Sequence, residues 1–313
     1  GRYRITRIYG GESWNPSLKP PLAAPGVNVA AGDYVLEVNG VPVQAGENVH
    51  RFFEGTSGKQ TVLRVNSRPT AEGARTVTVV PVGPDDDFGL RTAAWVEGNR
   101  RYVDSASGGK LAYVWLPNTS FEGYAYFNRY YFAQMNRAGA VIDERFNGGG
   151  SIADYFIDIM TRRLKGFFNN PVGDRRPWTA PEAGIWGPKV MLINESAGSG
   201  GDMLPYMFKL EKIGPLIGTR TWGGLVGIWD VPPLVDGGLM TAPRGGFFNL
   251  AGEWEVENEG ITPDIEVEQT PKETVGGRDP QLERAVQEAM RLLGQWKSPL
   301  KAEPAAPVRV RRP

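Results

Sequence analysis

Apolar and polar positions alternate along the first quarter of the chain, and this pattern predicts a small β-rich module. The clearest strand is 34–38 (YVLEV), and Asn39-Gly40 after it is the strongest short signal for a hairpin. A short helix is predicted over 46–54, because its apolar residues fall on one face. Further strands are predicted at 3–8, 60–65 and 76–82.

Beyond this module, apolar runs of strand length alternate with periodic stretches of helix length. A buried strand at 140–145 runs into a helix at 151–165, and a buried strand at 189–193 runs into a helix that starts near Gly200 or Gly201. Two such units imply parallel strands, so both connecting turns should emerge at the same edge of the sheet. Other predicted elements are a strand pair within 92–105, strands at 111–116 and 213–218, an aromatic-rich helix at 122–138, and β-like segments at 229–231, 238–241 and 247–249.

The pattern divides the chain into two domains and a tail. Residues 1–84 form the β-rich domain, 83–87 (GPDDD) are expected to be a hinge, and 88–297 form an α/β domain. The last helix begins at Asp279-Pro280, which supplies N-cap and N1 signals. Residues 298–313 are rich in proline and arginine without periodicity, and we expect a disordered tail.

Composition narrows the classes of partner. The 313 residues carry 35 basic and 35 acidic side chains, so we expect neither a nucleic-acid nor a membrane partner. No run of 18 apolar residues and no signal peptide is visible. Cysteine is absent, which excludes disulfides and thiolate chemistry. We expect no metal and no cofactor, and a cytoplasmic location, with the periplasm as the alternative.

Ser199 lies in the turn between the strand and the helix of the second unit, among glycines at 198, 200 and 201. Glycines permit strained dihedrals and close approach of a substrate, and the helix N-terminus offers free N–H groups to a developing oxyanion. The pattern of a nucleophile elbow, G-x-S-x-G, is only half met, because Ala197 takes its first glycine position. From the residues alone, a nucleophilic serine and a capping serine in a glycine-rich turn both remain open.

Three consecutive glycines, Gly148–Gly150, follow the strand of the first unit. Their unhindered N–H groups suit an oxyanion or another anion, while close packing is the plainer explanation. Neither G-x-G-x-x-G nor a P-loop is matched, so a nucleotide site is disfavoured. If the sheet is parallel, this loop and Ser199 should face one another, which would place a nucleophile opposite backbone donors.

The chain has a single histidine, His50, and a Ser-His-acid triad built from this chain alone must use it. His50 falls on the short helix of the first domain, either lining a groove or simply partly exposed. A catalytic role is disfavoured, because Ser199 belongs to the other domain. No histidine follows Ser199, which argues against an α/β-hydrolase of small esters.

Two family resemblances cover most of the chain. GDYVLEVNGVPV, the short helix and the two closing strands resemble a PDZ domain, a module that binds extended peptides. VIDERFNGGG, NESAGSGGD, IGTRTWGGLVGI and VENEGITPDIEV, in this order, resemble the catalytic half of the tricorn-type serine peptidases, which are related to the C-terminal processing peptidases. The match extends over roughly residues 1–295.

This resemblance implies a role for each matching residue. Ser199 would be the nucleophile, Gly200 and either Gly149 or Gly150 would form the oxyanion hole, and Glu257 would help orient the base. The implied fold is a PDZ domain beside a crotonase-like α/β sandwich. The implied activity is cleavage of short or unfolded peptides through an acyl-enzyme, and the implied assembly is a homo-hexamer.

The chain departs from the family pattern at the general base. In tricorn-type enzymes the catalytic histidine lies upstream of the PDZ domain, and this chain has no matching segment. The processing peptidases use a lysine, and Gly224 stands at that position here. Serine without a base is a poor nucleophile. We therefore expect a fragment of a longer enzyme, with a catalytically incomplete peptide-binding scaffold as the alternative.

The resemblance extends less clearly to substrate preference. In tricorn an acidic residue after the glycine-loop helix favours basic side chains at the cleavage point. The counterparts here are Asn169 or Asn170, with Asp174 as a displaced candidate. The neighbouring Arg175-Arg176 pair is a further candidate for binding a peptide carboxylate, although a solvated loop explains it equally simply.

Overall fold

The computed structural model of the chain describes residues 1–12, 14–15, 18–173, 177–228 and 232–307. The chain divides into two compact units, Gly1–Gly98 and Asn99–Pro313.

The strands predicted for the β-rich first unit form an antiparallel sheet. Asn39 and Gly40 both have positive φ, 49° and 78°, so the predicted tight hairpin is confirmed. The predicted helix is a five-residue 3-10 helix, Val49–Phe53, and a second one spans Pro21–Ala23. The strands are β1 (Tyr3–Arg4), β2 (Tyr34–Val38), β3 (Val41–Pro42), β4 (Thr61–Asn66) and β5 (Arg75–Val79), in the order β1-β2-β4-β5 with β3 on β2.

The first helix, α1 (Pro84–Ala106), replaces two expected features. The predictions of a hinge at 83–87 and of a strand pair within 92–105 were wrong. Pro84 suits a first helical position, and Asp85–Asp87 lie in the first turn, where carboxylates interact favourably with the helix dipole. The buried apolar residues recur at helical spacing: Leu90, Ala93, Val96 and Val103.

The second unit is built on a five-stranded parallel sheet, as the strand–helix units implied. Its central strands are buried along their whole length, which is typical of parallel strands covered on both faces. The order is β12-β11-β10-β7-β6, with β6 (Leu111–Trp115), β7 (Gly139–Asp143), β10 (Lys189–Ile193), β11 (Leu216–Gly218) and β12 (Ile265–Glu266). A separate antiparallel pair comprises β8 (Gly166–Phe168) and β9 (Trp178–Ala180).

Five further helices accompany this sheet. Phe127 of α2, Phe156 of α3 and Phe208 of α4 join one apolar cluster with alternate side chains of the central strands. The last helix, α6, packs against β10 and β7 and begins at Asp279, whose carboxylate accepts from the Leu282 N–H as predicted. The helices are α2 (Phe121–Ala133), α3 (Ala153–Met160), α4 (Gly200–Leu210), α5 (Pro271–Val275) and α6 (Pro280–Gln295).

The β-like segments expected after β11 are only partly matched. Residues 238–241 form no strand, and within 247–249 Phe248 makes a single isolated bridge with Trp254. Glycines and prolines interrupt this stretch, which limits continuous pairing. Residues 229–231 lie outside the described residues. Residues 298–307 contain neither helix nor strand.

Candidate active site

The two glycine-containing turns meet at one edge of the parallel sheet. β7 and β10 are adjacent, and Asp143 at the end of β7 pairs with Leu192 near the end of β10. The loops that follow these strands therefore leave from the same edge. The sequence-based expectation that the triple-glycine loop faces Ser199 is confirmed by the contacts below.

Ser199 occupies the N-cap position of α4 with φ 56° and ψ −116°. A positive φ is uncommon for a residue with a side chain, and such strain is often held at functional sites. Its N–H donates to the Gly224 carbonyl at 3.0 Å, and its own carbonyl accepts from Asp202 and Met203 at 2.9 and 3.0 Å. Backbone bonds on both sides thus hold the turn, and the side chain is half-buried.

The glycines of the two loops are in close contact. A Cβ atom at Gly149 would lie 2.7 Å from Ser199 Cβ and 3.1 Å from Ser199 Oγ. A Cβ atom at Gly200 would lie 1.9 Å from Thr119 Oγ1 and 2.3 Å from the Gly150 carbonyl oxygen. No other residue type fits at these two positions without moving the backbone, so the glycines bring the loops together.

The amide groups of the triple-glycine loop differ in their partners. The Gly148 N–H donates to the Pro117 carbonyl at 2.9 Å, and the Gly149 N–H donates to Asn147 Oδ1 at 2.9 Å. Within the described part of the chain, the N–H groups of Gly150 and Gly200 have no acceptor. Of the two glycines expected to share the oxyanion hole with Gly200, Gly150 is therefore the one with a free amide.

Glu257 lies beside the segment that holds Ser199. Its Oε2 accepts from the N–H groups of Leu225 and Val226, both at 2.7 Å. The preceding residue, Gly224, is the one whose carbonyl accepts from Ser199. One carboxylate oxygen of Glu257 is thus fixed by two amides of the segment that also bonds to Ser199.

Asp202, in the first turn of α4, is a site residue that sequence reasoning missed. It is fully buried, and its Oδ1 accepts from Thr221 Oγ1 at 2.6 Å and from the Gly223 N–H at 2.8 Å. Its Oδ2 accepts from the Gly224 N–H at 3.1 Å. This carboxylate ties 221–224 to the start of α4. The available signal was an acidic residue directly after the glycines, in the NESAGSGGD motif.

Trp222 is a second neighbour of the Ser199 turn that the sequence analysis did not single out. Its indole lies so close to Gly198 and Gly224 that a Cβ atom on either would come within 2.5 or 2.6 Å of the ring. The side chain nevertheless remains 65% exposed. A solvent-accessible apolar ring therefore borders the turn that carries Ser199.

Glu144 is a fully buried carboxyl group beneath the two loops. Its Oε2 accepts from Asn147 Nδ2 at 3.2 Å, while its Oε1 has no hydrogen-bond partner among the described residues. Burial, followed by the nearby Asp202 and Asp143, raises the pKa of Glu144 well above its ordinary value. The charged form of this carboxyl group is therefore disfavoured in the folded protein.

Replacing Glu144 with glutamine is expected to flatten the dependence of stability on pH. With a raised folded-state pKa, the stabilising contribution of Glu144 is complete below the unfolded value of about 4.3 and is lost as pH rises. Between the unfolded and the folded pKa, the contribution of Glu144 to the free energy of unfolding falls by at most about 1.4 kcal/mol per pH unit. Urea unfolding of both proteins from pH 5 to 8 measures the difference. A constant difference between the two proteins across this range would contradict the assignment.

The residues predicted to contact substrate are not placed at Ser199 by any contact above. Asn170 follows β8, in the two-stranded sheet, and is half-buried. Asp174 and the Arg175-Arg176 pair lie outside the described residues. Asn170 and Asp174 therefore remain predictions as substrate-binding residues.

His50 lies in the first unit, whereas Ser199 lies in the second. It lines a cavity of about 560 Å³ together with Phe53, Leu63, Pro81 and Arg91. His50 is also exposed, so both alternatives given for it, lining a groove and being an exposed residue of the short helix, agree with the structure.

No helix in the described ranges is both long and apolar enough to span a bilayer. Likewise, among the residues that the structure describes, no group of three or more histidines and carboxylates is arranged to hold a metal ion.

Comparison with known proteins identifies both units. Residues 1–84 match the tricorn protease PDZ domain, and residues 110–267 match peptidase family S41. The chain is 38% identical over 307 residues to tricorn protease homolog 1 of Streptomyces coelicolor, covering 98% of this chain and 28% of that protein. It is 32% identical over 303 residues to tricorn protease of Thermoplasma acidophilum, covering 97% of this chain and again 28% of the relative.

A solved structure gives the same result. The crystal structure of the tricorn protease superposes with a TM-score of 0.83 at 32% identity, over 94% of this chain and 28% of that one. The chain thus spans little more than a quarter of the length of these relatives.

Proposed function

This chain belongs to peptidase family S41 and carries a PDZ domain of the tricorn protease type, and we propose that it is the part of a serine peptidase that supplies the nucleophile and the oxyanion hole. The observation that carries this proposal is the strained turn at Ser199, packed against two glycine amides that have no acceptor among the described residues. A nucleophile beside preorganised N–H donors is the arrangement that acyl transfer requires.

In the proposed reaction, Ser199 Oγ attacks the carbonyl carbon of a peptide bond while its proton passes to a general base. The N–H groups of Gly200 and Gly150 donate to the oxyanion that forms. The base then protonates the leaving amine as the C–N bond breaks, and water hydrolyses the acyl-enzyme. Glu257, held through Oε2 by two amides, would use its other oxygen to orient the base.

We also propose that the general base is a histidine from outside these 313 residues. The single histidine, His50, belongs to the first unit and lines a cavity there. The short or unfolded peptides named as substrates, and the homo-hexamer, rest on the family resemblance and remain part of this proposal.

A peptide-binding scaffold is the second candidate, and the cavity of the first unit favours it. A space of about 560 Å³ lined by Phe53, Leu63, Pro81 and Arg91 combines apolar side chains with a cation. Such a lining suits the end of an extended peptide.

Labelling with a peptidyl phosphonate tests the catalytic proposal. We expect slow phosphonylation of this chain, mapped to Ser199 by tandem mass spectrometry, and faster labelling when imidazole is added as a substitute base. Labelling that maps elsewhere, or no labelling of this chain even with imidazole, would favour the scaffold.

A further inference from the structure

Asn147 is bonded to both loops of the candidate site. Its side-chain Oδ1 accepts from the Gly149 N–H at 2.9 Å, and its backbone carbonyl accepts from the Gly198 N–H at 3.1 Å. Gly149 belongs to the loop of oxyanion donors, and Gly198 precedes the nucleophile. Asn147 is fully buried, so water does not compete for these bonds.

The same side chain packs beneath the first turn of α4. A Cβ atom at Gly201 would lie 2.9 Å from the Asn147 carbonyl oxygen and 3.1 Å from its Cγ. Gly201 therefore leaves the space that Asn147 fills. This packing confines the amide plane of Asn147 from the side of the helix.

Glu144 fixes which end of the Asn147 amide faces the glycines. Asn147 Nδ2 donates to Glu144 Oε2 at 3.2 Å, which leaves Oδ1 to accept from Gly149. Rotating the amide by half a turn would set its NH2 group against the Gly149 N–H. The buried carboxyl group of Glu144 thus selects a single orientation.

This orientation decides which amide remains available at the site. With its N–H bonded to Asn147, Gly149 is held at φ 87°, and Gly150 follows at φ 135° with an N–H that has no acceptor among the described residues. A Cβ atom at Gly200 would lie 2.8 Å from the Gly150 nitrogen, so the two free amides are neighbours.

We infer that Asn147, oriented by Glu144, is a positioning residue that sets the Gly150 N–H for the oxyanion. The inference rests on the proposed function, because it assigns a support to the oxyanion hole of that same site. Asn147 acts through the glycine loop and does not itself contact the substrate.

A peptide boronic acid tests this support at equilibrium, without relying on a general base. Ser199 Oγ donates an electron pair to boron and its proton passes to water. The resulting tetrahedral boronate keeps both hydroxyl groups, one of which takes the place of the oxyanion. The carboxamide of the same peptide reports ground-state binding. Titration followed by boron NMR measures both the affinity and the tetrahedral state.

We expect Asn147→Ala to weaken the boronate adduct by about 100-fold, the effect of losing one oxyanion donor, with carboxamide binding unchanged. Glu144→Leu should weaken the adduct in the same direction, because Asn147 Nδ2 then loses the acceptor that orients its amide group. Asn48→Asp is the matched control for an Asn→Asp change and should leave the adduct unaffected. Asn48 Oδ1 also accepts a backbone N–H, that of His50, but it lies in the first unit.

The affinity of the Asn147→Asp protein for the boronic acid should depend on pH. A merely structural role of Asn147 would not produce this pH dependence. The new carboxyl group would meet Glu144, whose own carboxyl group already interacts with the charges of Asp202 and Asp143. One proton shared with Glu144 preserves the bonding pattern, so the adduct should approach the affinity of the unsubstituted chain near pH 5. Its affinity relative to that chain should then fall at least tenfold as pH rises and this proton is lost.

The outcomes separate the inference from the function on which it rests. No tetrahedral adduct with the unsubstituted chain would overturn the proposed function. A normal adduct in that chain, with Asn147→Ala unaffected or Asn147→Asp weakened equally at every pH, would overturn the inference alone. If Asn147→Ala does not fold, the pH series of Asn147→Asp decides.

Discussion

Replacing Ser199 with alanine is expected to lower phosphonate labelling and peptide cleavage by at least about 10⁴-fold, because the hydroxyl group that would form the acyl-enzyme is removed. The fold should persist. Ser199 contributes backbone hydrogen bonds to the turn, and its side chain makes no capping bond to α4. Labelling is measured by intact mass and cleavage by the release of product, both on this chain with imidazole added.

Ser196→Ala is the matched control for this change. Ser196 lies three residues earlier in the same turn but is exposed. Its side chain can be removed without touching the glycine contacts, so labelling should remain within about twofold of the unsubstituted chain. Equal labelling of the Ser199→Ala protein would show that another residue reacts and would remove Ser199 from the mechanism.

The sequence was most informative where local signals agree. The strand predicted at 189–193 is β10 with the same bounds, and the helix predicted to start near Gly200 or Gly201 starts at Gly200. A short apolar run, a cluster of glycines and a periodic helix follow one another there, and each restricts the backbone in the same way. The parallel arrangement of the two strand–helix units followed from connectivity alone.

Prediction failed at α1 because the helix signals were assigned to a linker. Pro84 and Asp85–Asp87 were interpreted as a hinge, although they mark a helix start. Beyond them, aromatic and β-branched residues such as Trp95, Val96 and Tyr102 favour strands locally. The buried face of the helix, which includes Leu90 and Val96, outweighs that preference.

The hydrogen bonds that hold the candidate site in place could not be predicted from local sequence. Asp202 bonds to residues at 221, 223 and 224, and Arg145 bonds to residues at 269, 279 and 281. Such pairs are set by how the loops pack around the sheet, and no spacing rule predicts them. Asp202 and Arg145 lie within the motifs that carry the family resemblance, but only the structure shows which residues they bond to.

The Arg145 guanidinium forms a buried ion-pair network with two carboxylates, those of Asp143 and Asp279. Its side chain is 1% exposed and lies 2.7 Å from Asp143 and 2.9 Å from Asp279. Burial alone would lower the pKa of Arg145, but Asp143 and Asp279 raise it above its ordinary value, so the charge is retained. Because Asp279 also caps α6, the network joins the end of β7, beside the glycine loop, to the last helix.

Replacing Arg145 with alanine is expected to destabilise the fold by about 3–5 kcal/mol, because two carboxylates would be left near or within the core without their cation.

Arg278→Ala is the matched control. Arg278 adjoins Asp279 and pairs with Glu283 at 2.6 Å, but its side chain is 59% exposed, so solvent screens the pair and the loss should be far smaller. Urea unfolding at pH 7 compares the two proteins with the unsubstituted chain. Arg145→Lys, which keeps the charge but loses the planar, bidentate geometry, should fall between them. Equal losses for Arg145→Ala and Arg278→Ala would mean that the buried network adds no more stability than a surface pair, and the link between β7 and α6 would then rest on apolar packing alone.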